Sequence, residues 1–246
     1  MSAVANTFQQ VRYENKAFWR NPASVFFTFV FPLMFLFIFN GLDIGPGPQF
    51  YVPSIAAFSV ITATYTNLAI SVSFLRDEGV LKRLRGSPLP PASFLLARVL
   101  HATFVSVILV AIVALAGRFL FDVVLPSDTL PAFAVSVILG AASFCALGLA
   151  FTSVIPNSDA APPMVNFSVL PLLFISGVFL PTDAAPQWLQ NLADVFPVKH
   201  LADALNTAFN PLGRSGWESA DLLIVGVWGV AGVLLAIRFF SWEPRR

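Results

Sequence analysis

Long stretches without a single charged side chain dominate this sequence. Arg20 and Asp43 bracket the first, NPASVFFTFVFPLMFLFIFNGL. Asp43 and Arg76 bracket a longer one, in which YVPSIAAFSVITATYTNLAISVSFL is the expected helix. Further uncharged stretches lie between Arg98 and Arg118, Asp128 and Asp159, Asp159 and Asp183, and Asp221 and Arg238. Crossing a hydrocarbon layer about 30 Å thick takes roughly 20 apolar residues. Lipid offers the backbone no hydrogen bonds, so each such run satisfies its own and reads as a helix. The runs are too continuous for the alternating faces of a barrel strand. Composition agrees: 57% of the residues are hydrophobic and 11% charged, against about 25% charged in a soluble domain. The expected architecture is all-α and polytopic, with six transmembrane helices at 24–43, 51–75, 95–118, 131–155, 162–181 and 220–240 in a single membrane domain, 1–246. The last run is short between its charges, and Arg238 reaches the interface by extending its stem.

Lysine and arginine set the orientation. Arg12, Lys16 and Arg20 precede the first span, Arg76, Lys82, Arg83 and Arg85 follow the second, and Arg245 and Arg246 close the chain. The opposite side is rich in Asp. Both termini are therefore expected in the cytoplasm. The segment 4–20 has Phe8, Val11 and Phe18 near helical spacing and polar residues on another face, the pattern of an amphipathic interfacial helix. In the loop 76–94, a short helix at 77–85 carries Val80, Leu81 and Leu84 on one side. Asp77 and Glu78 suit its start, and Lys82, Arg83 and Arg85 its end. The segment 183–210 holds amphipathic half-helices broken at Pro197, too polar to span, which dip into the outer leaflet or lie on it. Gly140, Gly148, Gly226, Gly229 and Gly232 suit close helix packing. Pro32 and Pro171 kink their spans.

Soluble-enzyme chemistry is missing. No GxxxxGK[ST] loop cradles a nucleotide, no HExxH or paired-cysteine motif holds a metal, and Cys145 is the single cysteine. His101 reads as a packing donor, and His200 has no second ligand at metal spacing. No span carries a central carboxylate, which disfavours ion coupling. An ATP-driven permease, a secondary transporter or channel without an ATPase, and a non-transporting scaffold remain open on these grounds.

Three segments carry a resemblance to a known family. They are RNPASVFFTFVFPLMF after the amphipathic segment, LRDEGVLKRLRGSPLPPASFLLAR, and PLLFISGVFLPTDAAPQWLQNLADVFPVKHLADAL. The chain resembles the membrane subunits of bacterial ABC-2-type exporters (the type V exporter fold), the group that includes daunorubicin-resistance permeases. That resemblance implies an elbow helix at 4–20 and a coupling helix at 77–85 that docks on an ATPase through Asp77, Glu78, Val80, Leu81, Lys82, Leu84 and Arg85, the apolar residues supplying the contact. It implies re-entrant half-helices at 183–210, marked by Gly177, Pro181, Trp188, Pro197, His200 and Asp203. It also implies pairing with a second permease, as homodimer or heterodimer, and two copies of an ABC ATPase that carry the ATP and Mg. The chain itself then binds no cofactor and no nucleic acid, sits among lipids in a bacterial inner or plasma membrane, and exports drugs, lipids, polyketides or lipid-linked glycans. The sequence departs from the family at Asn206, where many members carry arginine.

Overall fold

The computed structural model describes residues 3–42, 46–86, 90–179, 185–210 and 215–243. Among them the chain is helical throughout. Helix α1 (Ala3–Trp19) leads into α2 (Pro22–Gly41), then α3 (Pro48–Ile61), a π-helical turn (Thr62–Thr66), α4 (Asn67–Asp77) and α5 (Val80–Arg85). Next come α6 (Pro91–Phe121), α7 (Leu130–Phe151), α8 (Ala161–Ile175), α9 (Gln187–Ala193), α10 (Pro197–Phe209) and α11 (Ser219–Phe239).

Proline sits in the first turn of α2, α3, α6, α7, α8 and α10, where its missing N–H costs nothing. Asn21 caps α2 by accepting from the Ser24 N–H at 3.2 Å.

Among the described residues five helices are long and apolar enough to cross a membrane: α2, the continuous α3–α4 rod, α6, α7 and α11. The expected fifth crossing, 162–181, is different. Its helix α8 has 15 residues, about 22 Å at 1.5 Å per residue. It ends because Gly177 adopts a left-handed φ of 77°, a conformation that glycine takes without a Cβ clash. Phe179 then folds back into the bundle, its ring 5.3 Å from Phe35 and 5.4 Å from Phe58.

The helices are not equivalent. Every residue of α3 from Tyr51 to Ile61 is buried, so α3 is the central post. It packs against α2, α6, α7 and α10. An apolar helix can bury all its faces only at such a position. By contrast α2 buries only Pro32 and Leu36 and turns Phe26, Phe27 and Phe37 outward. Helix α11 lies on α7 through small residues. A Cβ on Gly232 would sit 2.8 Å from the Leu147 nitrogen, and one on Gly148 would sit 2.9 Å from the Tyr65 carbonyl of the π turn. Gly140 makes room for Leu201 of α10 in the same way, whereas Gly226 faces open space. Helix α5, the start of α6 and the chain beyond α11 meet in one apolar cluster, so they share one end of the bundle. Helices α9 and α10 occupy the other.

Candidate functional site

A lateral cavity of about 650 Å³ opens between α7, α8, α11 and the start of α10, with the π turn behind it. Phe144, Phe151, Leu172, Trp228 and Phe239 give it an apolar wall. Its polar feature is a pair across the back: the Tyr65 hydroxyl and Ser168 Oγ share a hydrogen bond of 2.8 Å. Trp228 is already spoken for, since its Nε1–H donates to the Val195 carbonyl at 3.0 Å. The cavity thus offers shape and apolar surface with a few hydroxyls, those of Tyr65, Ser168 and Ser153, the chemistry of a site for a bulky amphipathic molecule.

The π turn shapes this wall. Thr62 Oγ1 donates to the Phe58 carbonyl at 2.9 Å and Thr64 Oγ1 to the Val60 carbonyl at 2.6 Å. The Asn67 N–H reaches back to the Thr62 carbonyl, one residue further than in an α-helix. Such turns occur frequently at functional sites. The sequence reading passed over Tyr65 and Ser168 because both lie inside uncharged runs. The polar cluster TATYT within an apolar span was the available signal.

At the α5 end, the residues expected to meet an ATPase divide. The helix begins at Val80 rather than at residue 77, because Gly79 takes a left-handed φ of 70°. Asp77 is the last residue of α4, its carboxylate accepting the Ser158 N–H and facing Arg76 Nε at 3.7 Å. Leu81 is 0% exposed and packs with Leu68, Val72, Phe94 and Cys145 of its own chain. Leu84 packs against the same cluster, and Val80 is half-buried. The apolar side of α5 is therefore turned towards the bundle, with Leu81 covered from within and Leu84 half-buried. Glu78, Lys82, Arg83 and Arg85 are the exposed residues.

Arg76 was read as a topology charge. Its side chain is buried, and Nη1 and Nη2 donate to the carbonyls of Thr152 and Ile155 at 2.8 and 2.7 Å. It ties α4 to the α7–α8 connection. Arg98 is likewise engaged. Its Nε and Nη2 donate to Glu14 Oε2 at 3.3 and 3.1 Å, fixing α1 against α6.

At the opposite end, α10 is embedded rather than lying on the surface: His200, Leu201, Leu205 and Phe209 are buried against α3, α7 and α11. Pro197 opens it and is buried, while α9 leaves Trp188 67% exposed. Pro181 lies outside the described residues. His200 links three elements. Its Nε2 lies 2.8 Å from the Asp194 carbonyl, which can only accept, and its Nδ1 lies 2.7 Å from Asp221 Oδ1. Lys199 pairs with Asp194. Asp203 is pushed up to about 6 by burial first and by the Asp221 carboxylate second. Asn206 Nδ2 donates to Ser54 Oγ of α3 at 3.2 Å. Gln49 Nε2, unmarked in the sequence, donates to Asn210 Oδ1 at 2.7 Å and to the Val124 carbonyl at 3.2 Å.

A bundle of apolar, membrane-length helices with a lateral cavity has the architecture of a membrane permease. Among the described residues no group of three or more His, Cys, Asp or Glu side chains could hold a metal. The family model for the ABC-2 type transporter matches residues 6–210. This multi-pass protein belongs to that family. It is 25% identical over 228 residues to a putative transport permease, ycf38, of Pyropia yezoensis, covering 86% of this chain and 75% of that one. It is 25% identical over 251 residues to the daunorubicin resistance ABC transporter permease protein DrrB1 of Streptomyces coeruleorubidus, covering 94% and 84%. It is 23% identical over 211 residues to the putative transport permease YvfS of Bacillus subtilis (strain 168), covering 83% and 81%.

Proposed function

We propose that this chain is the membrane subunit of an exporter that moves an amphipathic compound out of the cytoplasm, driven by ATP hydrolysis on a separate ABC ATPase. The observation that carries this reading is the lateral cavity of about 650 Å³, lined mostly by apolar side chains with the hydroxyls of Tyr65, Ser153 and Ser168 among them. Its dimensions and lining suit a drug-sized amphiphile rather than an ion. Likeness to a daunorubicin resistance permease supports a compound of that kind.

In this reading the chain crosses six times, α8 making the short crossing together with the residues after it. Both termini face the cytoplasm, α1 is the elbow, and α9–α10 form the re-entrant pair with Gly177, Pro181, Trp188, Pro197, His200 and Asp203. The outward apolar residues of α2 beyond Phe27 meet a second permease, identical or not. Helix α5 takes the thrust of the ATPase through its charged side, with Glu78, Lys82 and Arg85 in contact. Asp77, Val80, Leu81 and Leu84 hold α5 to the bundle from behind.

Efflux of a fluorescent amphipathic dye from vesicles, with the chain and its ATPase co-expressed, tests both halves. Leu172→Trp fills the cavity and should cut efflux about tenfold while the ATPase still copurifies. Replacing Lys82, Arg83 and Arg85 together by Glu should abolish copurification without loss of folded protein. Undiminished efflux from both variants, with the ATPase bound, overturns the assignment.

A further inference from the structure

A second recess lies between α1, α2, α4 and α6, and its chemistry is unlike that of the first. An inner chamber of about 160 Å³ is lined by Arg98 and His101 of α6 and by Asn67 of α4. It continues into a mouth of about 630 Å³ flanked by Phe27 and Thr28 of α2 and by Ile70 and Phe74 of α4. Asn21, Ser24, Asn67, Ser71 and Arg98 line both parts, so the two form one polar channel.

Two nitrogens here are buried without a hydrogen-bond partner among the described residues: Arg98 Nη1 and His101 Nδ1. The neighbouring carboxylate does not relieve them. Glu14 Oε2 is taken by Arg98 Nε and Nη2, and Gln10 Nε2 donates to Oε1 at 3.3 Å. The Phe18 ring lies 5.5 Å from His101 and offers no acceptor oxygen. An unmet buried donor costs about 1–3 kcal/mol, and in a native protein it points to something absent. A water satisfies the chamber alone. Beside the chamber, the mouth adds an apolar flank, with Phe27 66% and Phe74 40% exposed on the outside of the bundle.

We propose that this recess binds a membrane amphiphile by a phosphodiester headgroup, the phosphate on Arg98 and His101 and the chains along Phe27, Ile70 and Phe74. A guanidinium edge matches phosphate oxygens in spacing and charge. The Asn67 amide and Ser24 hydroxyl add neutral donors. Glu14 already balances Arg98, and Glu78 stands at the mouth. The surroundings therefore favour one phosphate charge over two, and favour a headgroup that carries an amine. The site is separate from the cavity beside Tyr65, and binding here requires no ATPase and no transport.

The test uses the purified full chain in a neutral detergent, with retained lipid measured by native mass spectrometry. The probes are phosphatidylethanolamine, diacylglycerol with the same chains, and chain-free glycerophosphoethanolamine. Phosphatidylethanolamine should bind saturably, and each of the others about tenfold more weakly or worse. Arg98→Lys keeps the ion pair with Glu14 but deletes Nη1, and Asn67→Leu fills the chamber. Each should weaken phosphatidylethanolamine about tenfold, judged in protein whose thermal transition matches wild type. Equal binding of diacylglycerol means an apolar groove only. Equal binding of the chain-free headgroup means a soluble phosphodiester site, and equal binding by both variants means a site elsewhere. Any of the three overturns the proposal. The wild-type comparison decides even where a variant fails to fold.

Discussion

Arg76 has the largest fully buried side chain of the described protein. A charge at that depth is stable only because carbonyls receive it. Arg76→Ala should lower stability by about 2–4 kcal/mol, read as a fall in thermal midpoint in detergent. Arg76→Lys should not restore it, because one ammonium cannot span two carbonyls as a planar fork does. Asp203 makes the opposite kind of prediction. Its folded pKa, about 6, lies above the ordinary 3.8. The folded state therefore holds a proton that the unfolded state releases between those values. The contribution of this group is fully present below about pH 4 and is lost as pH rises through 6. Thermal stability should thus rise from pH 7 to pH 5 by about 1–2 kcal/mol, discounted for partial exposure. Asp203→Asn should remove that rise and match the low-pH stability at pH 7. A wild-type profile superimposable on that of the variant refutes the assignment.

Helix pairing shows what the sequence could and could not reveal. Four of the five glycines read as packing positions do admit a neighbour at close range, but Gly226 faces open space. Gly148→Ala should cost about 1–3 kcal/mol, since the clashing atom is backbone and cannot rotate away. Gly226→Ala should be neutral or gain up to about 1 kcal/mol from helix propensity. Paired melts of the two variants check both. Helix existence was legible because hydrocarbon leaves an apolar run one way to satisfy its backbone. Helix facing was not. Six apolar runs look alike, although α3 is buried all round and α2 hardly at all. Helix α5 makes a related point. An apolar face at helical spacing says that the helix is covered, not by what, and Leu81 is covered from within.

At the scale of the molecule, both ends of the bundle bear on topology. Lys82 and Gln187 lie at opposite ends, so single cysteines placed there should label from opposite sides of a sealed membrane. Cys145, the sole native cysteine, is buried and can be replaced by Ser. Labelling of both positions from one side would contradict the fold's vectorial order. The two recesses also belong to this scale, and composition gave no hint of either, since each is assembled from residues distant in sequence. They share one helix. Tyr65 lines the apolar cavity and Asn67 the polar recess, two positions apart and therefore about 200° around the axis. Between them runs the boundary of the π turn, which holds one residue more than an α-helical turn would. That residue sets the phase of everything downstream. Were the turn to relax into α-helix, the segment from Asn67 to Asp77 would rotate by about 100°. Asn67 would swing out of the recess, and Arg76 would lose both of its carbonyls. The placement of both recesses along this rod is thus set by a single register, that of the π turn.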